Sequence, residues 1–436
     1  MIKKIDSYLK KLFPLNRSIT GKENEKSLNI LREIFPFKIK HIPSNTPVFD
    51  WVVPPEWNVK EAWIKDSKGN IIVDFKNLNL HLVSYSIPIN KKINFEELSK
   101  HLFYLKEKPD SIPYRTSYYK RNWGFCLSYN DYISLDQKET YHVYIDSQLD
   151  PNGKMVYGEA YKKGKSKKEI LISSYICHPS LANDNLSGMI LSCFLFNEIS
   201  KLDTYYSYRL LLIPETIGAV SWLWKNKKNK IKGGFVISCV AGPDSLGYKK
   251  TYLNDHQIDK AIKYALQDET YITYPFEPIG SDERQYSSPA FKIPTATITK
   301  SKYYEYDQYH TSLDNLDFIS SLNLKKTLDI YLKAIYYLEH NQKYKRKFNE
   351  CEFMLSKIDN IYPSTGGTIS QPLMVKNHLN HEYTSKSNGK ILDCISWLSF
   401  GCDGDTTLFE IQEMSNLPLD DLIHALNILK SKKLIK

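Results

Sequence analysis

An α/β fold, with a mostly parallel sheet flanked by helices, is predicted for the middle of this 436-residue chain. Three observations predict it. Between Gly153 and His340, apolar runs of strand length alternate with amphipathic helical patterns. Several of those runs end in a residue with chemistry to offer, and in open α/β sheets ligands bind beyond the strand C-termini. The flanking sequence has a different texture. Residues 43–150 carry short strand-like runs among prolines and aromatics, and the tail from Ile391 carries three short helical patterns. Two or three domains are expected at this length.

Met1–Phe35 predicts two amphipathic helices, marked by Ile2, Ile5, Leu9 and Leu12, then by Leu28, Ile30, Leu31 and Phe35. Pro14–Gly21, PLNRSITG, joins them; Arg17 there is either a surface charge or a group that holds an anion. Pro43–Asp150 reads as a small β-rich module with strands at Ala62–Ile64, Ile71–Asp74 and Leu80–Ser86. Its aromatics crowd Val48–Trp57 and Pro113–Phe125, the second including Arg115. Such aromatics build a small core or wall a pocket.

Ile170–Cys177 is an apolar, β-branched run that delivers His178 to its C-terminal end. Asp184 follows within Asn183-Asp184-Asn185, and Ser187-Gly188 opens a helical pattern over Leu186–Leu202. The plain alternative is a structural turn, for which Asn, Asp, Ser and Gly are ordinary residues. The next strand, Tyr208–Pro214, runs into Glu215-Thr216, then a helix over Ile217–Trp224. Gly234–Val240 carries Cys239. A helix over Gln257–Leu266 precedes the polar cluster Gly280-Ser281-Asp282-Glu283-Arg284-Gln285-Tyr286, then the strand Thr295–Lys300. His310 lies in the following loop, before a helix over Phe318–His340. Each of these turns has a structural reading when taken alone. Together, His178, Asp184, Glu215 and His310 each fall at or beyond a strand's C-terminal end, so they converge on one crevice. Two imidazoles and a carboxylate suit a divalent metal, zinc above all. A carboxylate that is not a ligand can take a proton from the attacking water and pass it to a leaving amine.

HPSLANDNLSG, PETIG, GSDERQY and YHTSLDN resemble the signatures of zinc-dependent aminopeptidases of the bacterial leucyl aminopeptidase and glutaminyl cyclase type. LFPLNRSITG, FDWVVPPEW and the tail resemble a bacterial aminopeptidase-like subfamily with an inserted β-rich domain and a C-terminal winged helix. The resemblance implies a catalytic domain from residues 1–45 and 151–345, an insert at 46–150 and a winged-helix-like domain at 346–436. It implies that His178, Asp184 and His310 are metal ligands, Glu215 the general base and Asp282 a supporting carboxylate. Arg17, Arg115, Glu283 and Arg284 are candidates for holding substrate, since guanidinium pairs well with carboxylate or phosphate. Two positions depart from the family pattern. Thr216 stands where a carboxylate ligand is expected, and Cys239 where an aspartate is. One zinc is therefore favoured, with a second, on Cys239, as the alternative. The expected activity is hydrolysis of an amide bond in a small molecule or short peptide. The resemblance implies a setting of surface-polysaccharide or modified-sugar metabolism, so an N-acyl sugar or aminoacyl conjugate is as fitting as a peptide.

Two other readings stand beside it. One is a DNA-binding regulator that uses the C-terminal helices and senses a ligand with the α/β domain. Asp420-Asp421 at the start of the presumed recognition helix would repel phosphates, so nucleic acid is disfavoured. The other is a catalytically silent binding protein, motivated by Thr216 and Cys239. The winged helix also offers an interface for a homo-oligomer. The formal charge of +10 is spread along the chain and reads as a lysine-rich surface. No apolar stretch has signal-peptide or membrane-span length. The seven cysteines form no CxxC pair, which suits reduced thiols in a cytoplasmic protein.

Overall fold

The computed structural model describes residues 1–355 and 385–436 and divides into two compact units, 1–333 and 334–436. The division falls inside the helix Ser321–His340, ahead of the boundary expected after residue 345. Residues 46–150, expected as an inserted domain, fall within the first unit. Part of the expected C-terminal domain, residues 356–384, lies outside the described residues.

The first unit is built on eight strands. Their order is Lys38–Pro43, Lys154–Lys162, Ser207–Ile213, Glu169–Tyr175, Ile231–Val236, Thr295–Lys300, Leu246–Lys249 and Tyr271–Tyr274. The four from Ser207–Ile213 to Thr295–Lys300 run parallel, so their C-terminal ends share one edge. The ladders on either side of that block are antiparallel. Every residue of Glu169–Tyr175 is buried, as a strand covered on both faces requires. The helix Gly188–Ser200 packs beside it and is buried over most of its surface. It opens with glycine because a Cβ at Gly188 would lie 2.5 Å from the Ile237 carbonyl oxygen and 2.2 Å from Asn185 Oδ1.

Within residues 46–150 the strands Ile71–Asp74, Glu56–Lys65, Thr140–Asp150 and Ile89–Asn94 form an antiparallel sheet in that order. Leu80–Ser86, expected as a strand, is instead a short 3₁₀ turn at Asn79–His81 followed by isolated bridges from Leu82 and Ser84. Residues 82–86 are all buried, with no alternation, and Tyr85 adopts φ 69°, which ends an extended path. The aromatics serve as core. Trp57 stacks on Tyr85 at 5.6 Å between centroids, and both join Phe125, Val143, Leu171, Tyr175 and Leu211 in one apolar cluster. The β-rich segment and the main sheet thus share a core.

In the second unit Lys343–Lys345 pairs antiparallel with Asp403–Thr407, and the helices Ser385–Gly401, Leu408–Ser415 and Leu419–Ser431 pack on one another, with Leu408–Ser415 against Asp403–Thr407. Thr407 and Glu410 form a reciprocal capping box that starts Leu408–Ser415. Asp420 accepts a hydrogen bond from the Tyr337 hydroxyl at 3.0 Å. No described helix is long and apolar enough to cross a membrane. Six of the seven cysteines are buried, and Cys351 is exposed.

Candidate metal centre

His178 follows the fully buried strand Glu169–Tyr175 by three residues and is itself 5% exposed. Its ring is held edge-on between Tyr175 and Tyr114, with centroids 5.2 and 5.3 Å away. Asp184 sits in the irregular turn Ala182–Ser187 that feeds the buried helix. His310 comes from the loop after Thr295–Lys300, and its Nε2 lies 3.0 Å from Asp184 Oδ2. Ligand atoms of His178, Asp184 and His310 all lie within 4.8 Å of one another. A second, overlapping group joins Cys177 and Glu215 to His178 within the same limit. Glu215 begins the turn after Ser207–Ile213, and its carboxylate stands 3.9 Å from His178 Nε2 with a quarter of the side chain exposed.

The electrostatics follow from burial and crowding. Burial pushes the His178 pKa down to about 4, which leaves a neutral imidazole with a lone pair at pH 7. Burial would raise Asp184, but the two imidazoles and the Tyr175 hydroxyl outweigh it and hold the carboxylate down to about 2. Glu215 moves the other way. Its carboxyl is raised well above the ordinary range by burial, then by the Asp282 and Asp184 carboxylates, with Arg284 opposing.

Asp282 is buried and accepts the Thr216 N–H at 2.7 Å. Burial raises its pKa to about 7 against that hydrogen bond. Arg284 Nη2 donates to Thr216 Oγ1 at 3.1 Å, while its Nε is buried with no hydrogen-bond partner among the described residues. These two contacts hold Thr216 at φ 61°, a conformation that costs a β-branched residue about 1–3 kcal/mol.

Other sequence candidates lie elsewhere. Arg17 is fully buried and donates to the His178 carbonyl at 3.1 Å and to the Leu12 carbonyl, so it braces the backbone under the first histidine. Burial lowers its pKa to about 10. Glu283 is 1% exposed, accepts from Thr297 Oγ1 at 2.6 Å and faces Lys249 Nζ at 3.9 Å. Arg115 is exposed, next to Tyr114. Cys239, at φ 53°, packs against Tyr303 and Tyr306 and belongs to neither convergent group.

Three residues of the site are not singled out individually in the reading of the sequence. Asp314 accepts the Asn183 and Asp184 amides at 2.6 and 3.0 Å and the Tyr306 hydroxyl at 2.9 Å, which fixes the turn that carries Asp184. Burial raises its pKa to about 7. It lies within the YHTSLDN motif, where its position was the available clue. Tyr175 donates to Asp184 Oδ1. Tyr114 lies 5.2 Å from His310 and 5.3 Å from His178 between ring centroids, and its N–H donates to the His310 carbonyl at 2.8 Å.

The donor set fits zinc. Two imidazoles and a carboxylate converge, and each is held from behind by a hydrogen bond or an aromatic ring.

Residues 6–341 match a family described as a domain of unknown function, DUF4910. A Clostridium acetobutylicum protein, provisionally described as a polysaccharide biosynthesis protein with an aminopeptidase-like domain, is 39% identical over 99% of this chain and 96% of its own. A crystal structure of a C. acetobutylicum protein, provisionally described as a peptidase, superposes with a TM-score of 0.88 at 37% identity, covering 100% of this chain and 96% of that one. The zinc aminopeptidase BSAP of Bacillus subtilis shares the fold at a TM-score of 0.55 and 13% identity, over 77% of this chain and 93% of its own. The chain therefore belongs to the DUF4910 family and carries the mostly parallel α/β fold of the zinc aminopeptidases.

Proposed function

We propose that the chain is a zinc-dependent hydrolase of amide bonds, acting on an N-terminal residue, an N-acyl group or an aminoacyl conjugate. One observation carries the reading: donor atoms of His178, Asp184 and His310 converge within 4.8 Å beside a partly open Glu215 carboxyl. When bound, zinc supplies a Lewis acid for the scissile carbonyl and lowers the pKa of the attacking water toward about 7.

This chain's own groups do the rest. Glu215 takes the proton of the attacking water and delivers it to the leaving nitrogen. Arg284 has a buried Nε–H to spare and stands close enough to influence Glu215, so it suits an anionic part of the substrate. Tyr114 forms an apolar wall across both histidines. The Arg284 guanidinium also supports a single ion, because it holds the Thr216 hydroxyl where a second cation would need a carboxylate. The C. acetobutylicum relative's description supports a substrate from polysaccharide or modified-sugar chemistry.

Elemental analysis of chain purified without chelator, beside His310→Ala, tests the site. About one zinc per chain, lost in the variant, is expected. Absence of metal from the wild type would overturn the reading. A panel of N-acyl sugars and aminoacyl amides then tests the reaction.

A further inference from the structure

Two lysine-rich loops that are far apart in sequence lie side by side at the end of the sheet opposite the metal centre. One spans residues 162–168, KKGKSKK, and the other 225–232, KNKKNKIK. The parallel pairing of Glu169–Tyr175 with Ile231–Val236 brings them together, and the Glu169 N–H donates to the Lys230 carbonyl at 3.0 Å. They border a cavity of about 1080 Å³. Lys163, Lys165 and Lys167 line it from one loop and Lys225, Lys227, Lys228 and Lys230 from the other. Strand length at about 3.3 Å per residue separates it from His178 by roughly 20 Å.

The charge there is unbalanced. Some exposed lysines elsewhere face carboxylates, as in Lys11–Glu33 at 3.1 Å, Lys76–Glu61 at 3.2 Å and Lys154–Glu25 at 3.2 Å. Others, such as Lys3 and Lys91, have no ion-pair partner among the described residues and lie outside this cavity. Of the seven groove lysines only Lys165 has an ion-pair partner among the described residues, Asp203 at 2.6 Å. Glu169, the one carboxylate in the lining, is already taken by Arg209 Nε at 2.7 Å. A concave surface lined by one sign of charge concentrates counter-ions.

The walls decide which polyanion fits. Single-stranded nucleic acid binds on exposed aromatic faces as well as on charge. Here Trp222 is 1% exposed and Trp224 packs on the apolar core; Tyr161 is 49% exposed, but its ring already carries the Arg209 guanidinium at 5.0 Å, so the groove offers no row of open rings for successive bases. The lysines are compact point charges that need no planar partner.

We propose that this groove binds an anionic glycan, a saccharide chain that carries regularly spaced carboxylates or phosphates. The site is separate from the metal centre, and its test involves no turnover, so the two readings fail independently.

The test uses the full chain and a fluorescein-labelled oligogalacturonate, with a single-stranded DNA oligonucleotide of equal charge and a neutral maltodextrin for comparison. Anisotropy titrations are run at about 50 and about 200 mM salt. Oligogalacturonate is expected to bind, and to weaken about 10-fold or more over that range. Lys163→Gln/Lys167→Gln/Lys228→Gln/Lys230→Gln removes four exposed charges and should weaken binding about 10-fold. Lys3→Gln/Lys4→Gln/Lys91→Gln/Lys92→Gln, which removes four exposed charges elsewhere, should leave it unchanged. Equal loss in both variants, no binding at low salt, or tighter binding of the DNA would each overturn the proposal.

Discussion

On the proposed function, single side chains at the candidate centre divide into those that would hold the metal, those that would move a proton and those that keep the others in place. Glu215 is assigned to the second group. Glu215→Gln should keep its metal and lose hydrolysis by a factor of about 100 or more. Metal content measured beside turnover checks this, and full activity in the variant would remove Glu215 as the base. Asp314 belongs to the third group. Asp314→Ala strips the acceptor from two amides of the turn that presents Asp184, and metal affinity should fall by about 10- to 100-fold in chelator competition. Asp314→Asn keeps one carbonyl acceptor and should lose less. His178, Asp184, Glu215 and His310 could be picked out in the sequence because each sits where a strand or its following loop ends, a local pattern. Arg17 and Glu283 could not be placed that way. Their partners, the His178 carbonyl and Thr297, lie outside the motifs that carry them, and burial converts apparent surface charges into internal braces.

The parallel strands and their helices were readable because continuous apolar runs and 3.6-residue periodicity are properties of neighbours in sequence. Leu80–Ser86 was misread because its residues are buried on every side by packing that the run itself does not specify. Where the helix Gly188–Ser200 begins, backbone crowding sets the sequence. Gly188→Ala would press a methyl group onto the Ile237 carbonyl, and denaturant melts should show a loss of about 1–3 kcal/mol. At the far end of the sheet, Arg209 joins two strands by pairing with Glu159 and, at 2.7 Å, Glu169. Arg209→Ala leaves two buried carboxylates short of a partner and should cost about 3 kcal/mol. Burial alone would raise the Glu159 pKa, yet Lys40 and Arg209 hold it below the ordinary carboxylate value. Its contribution is therefore fully present above that ordinary range and is lost as pH falls through the lower folded value. The stability gap between wild type and Arg209→Ala should narrow in acid; a gap independent of pH would count against this pairing.

Metal bound only by the folded chain adds to the stability of the unit that holds it. At a free zinc level about 1000-fold above Kd this amounts to about 4 kcal/mol, so a chelator should lower Tm by about 5 °C or more in calorimetry. An unchanged Tm would argue against a tightly held ion. The two-unit division falls inside the helix Ser321–His340, which reads as continuous in the sequence, and the β-rich segment gives no sign in its own sequence that it shares a core with the main sheet. That sharing reaches the candidate centre through Tyr175, which belongs to the common core and donates to Asp184, and through a seam beside His310. Ile112 exchanges hydrogen bonds with Ser312, and the Tyr114 N–H donates to the His310 carbonyl, across an antiparallel bridge between Pro113 and Thr311. Grafting this segment from a relative would replace the wall beside both histidines and, in the same stroke, reseat His310, a ligand of the proposed zinc. Substrate preference and metal retention in this lineage are therefore expected to drift together, and chimeras that change one while sparing the other should be rare.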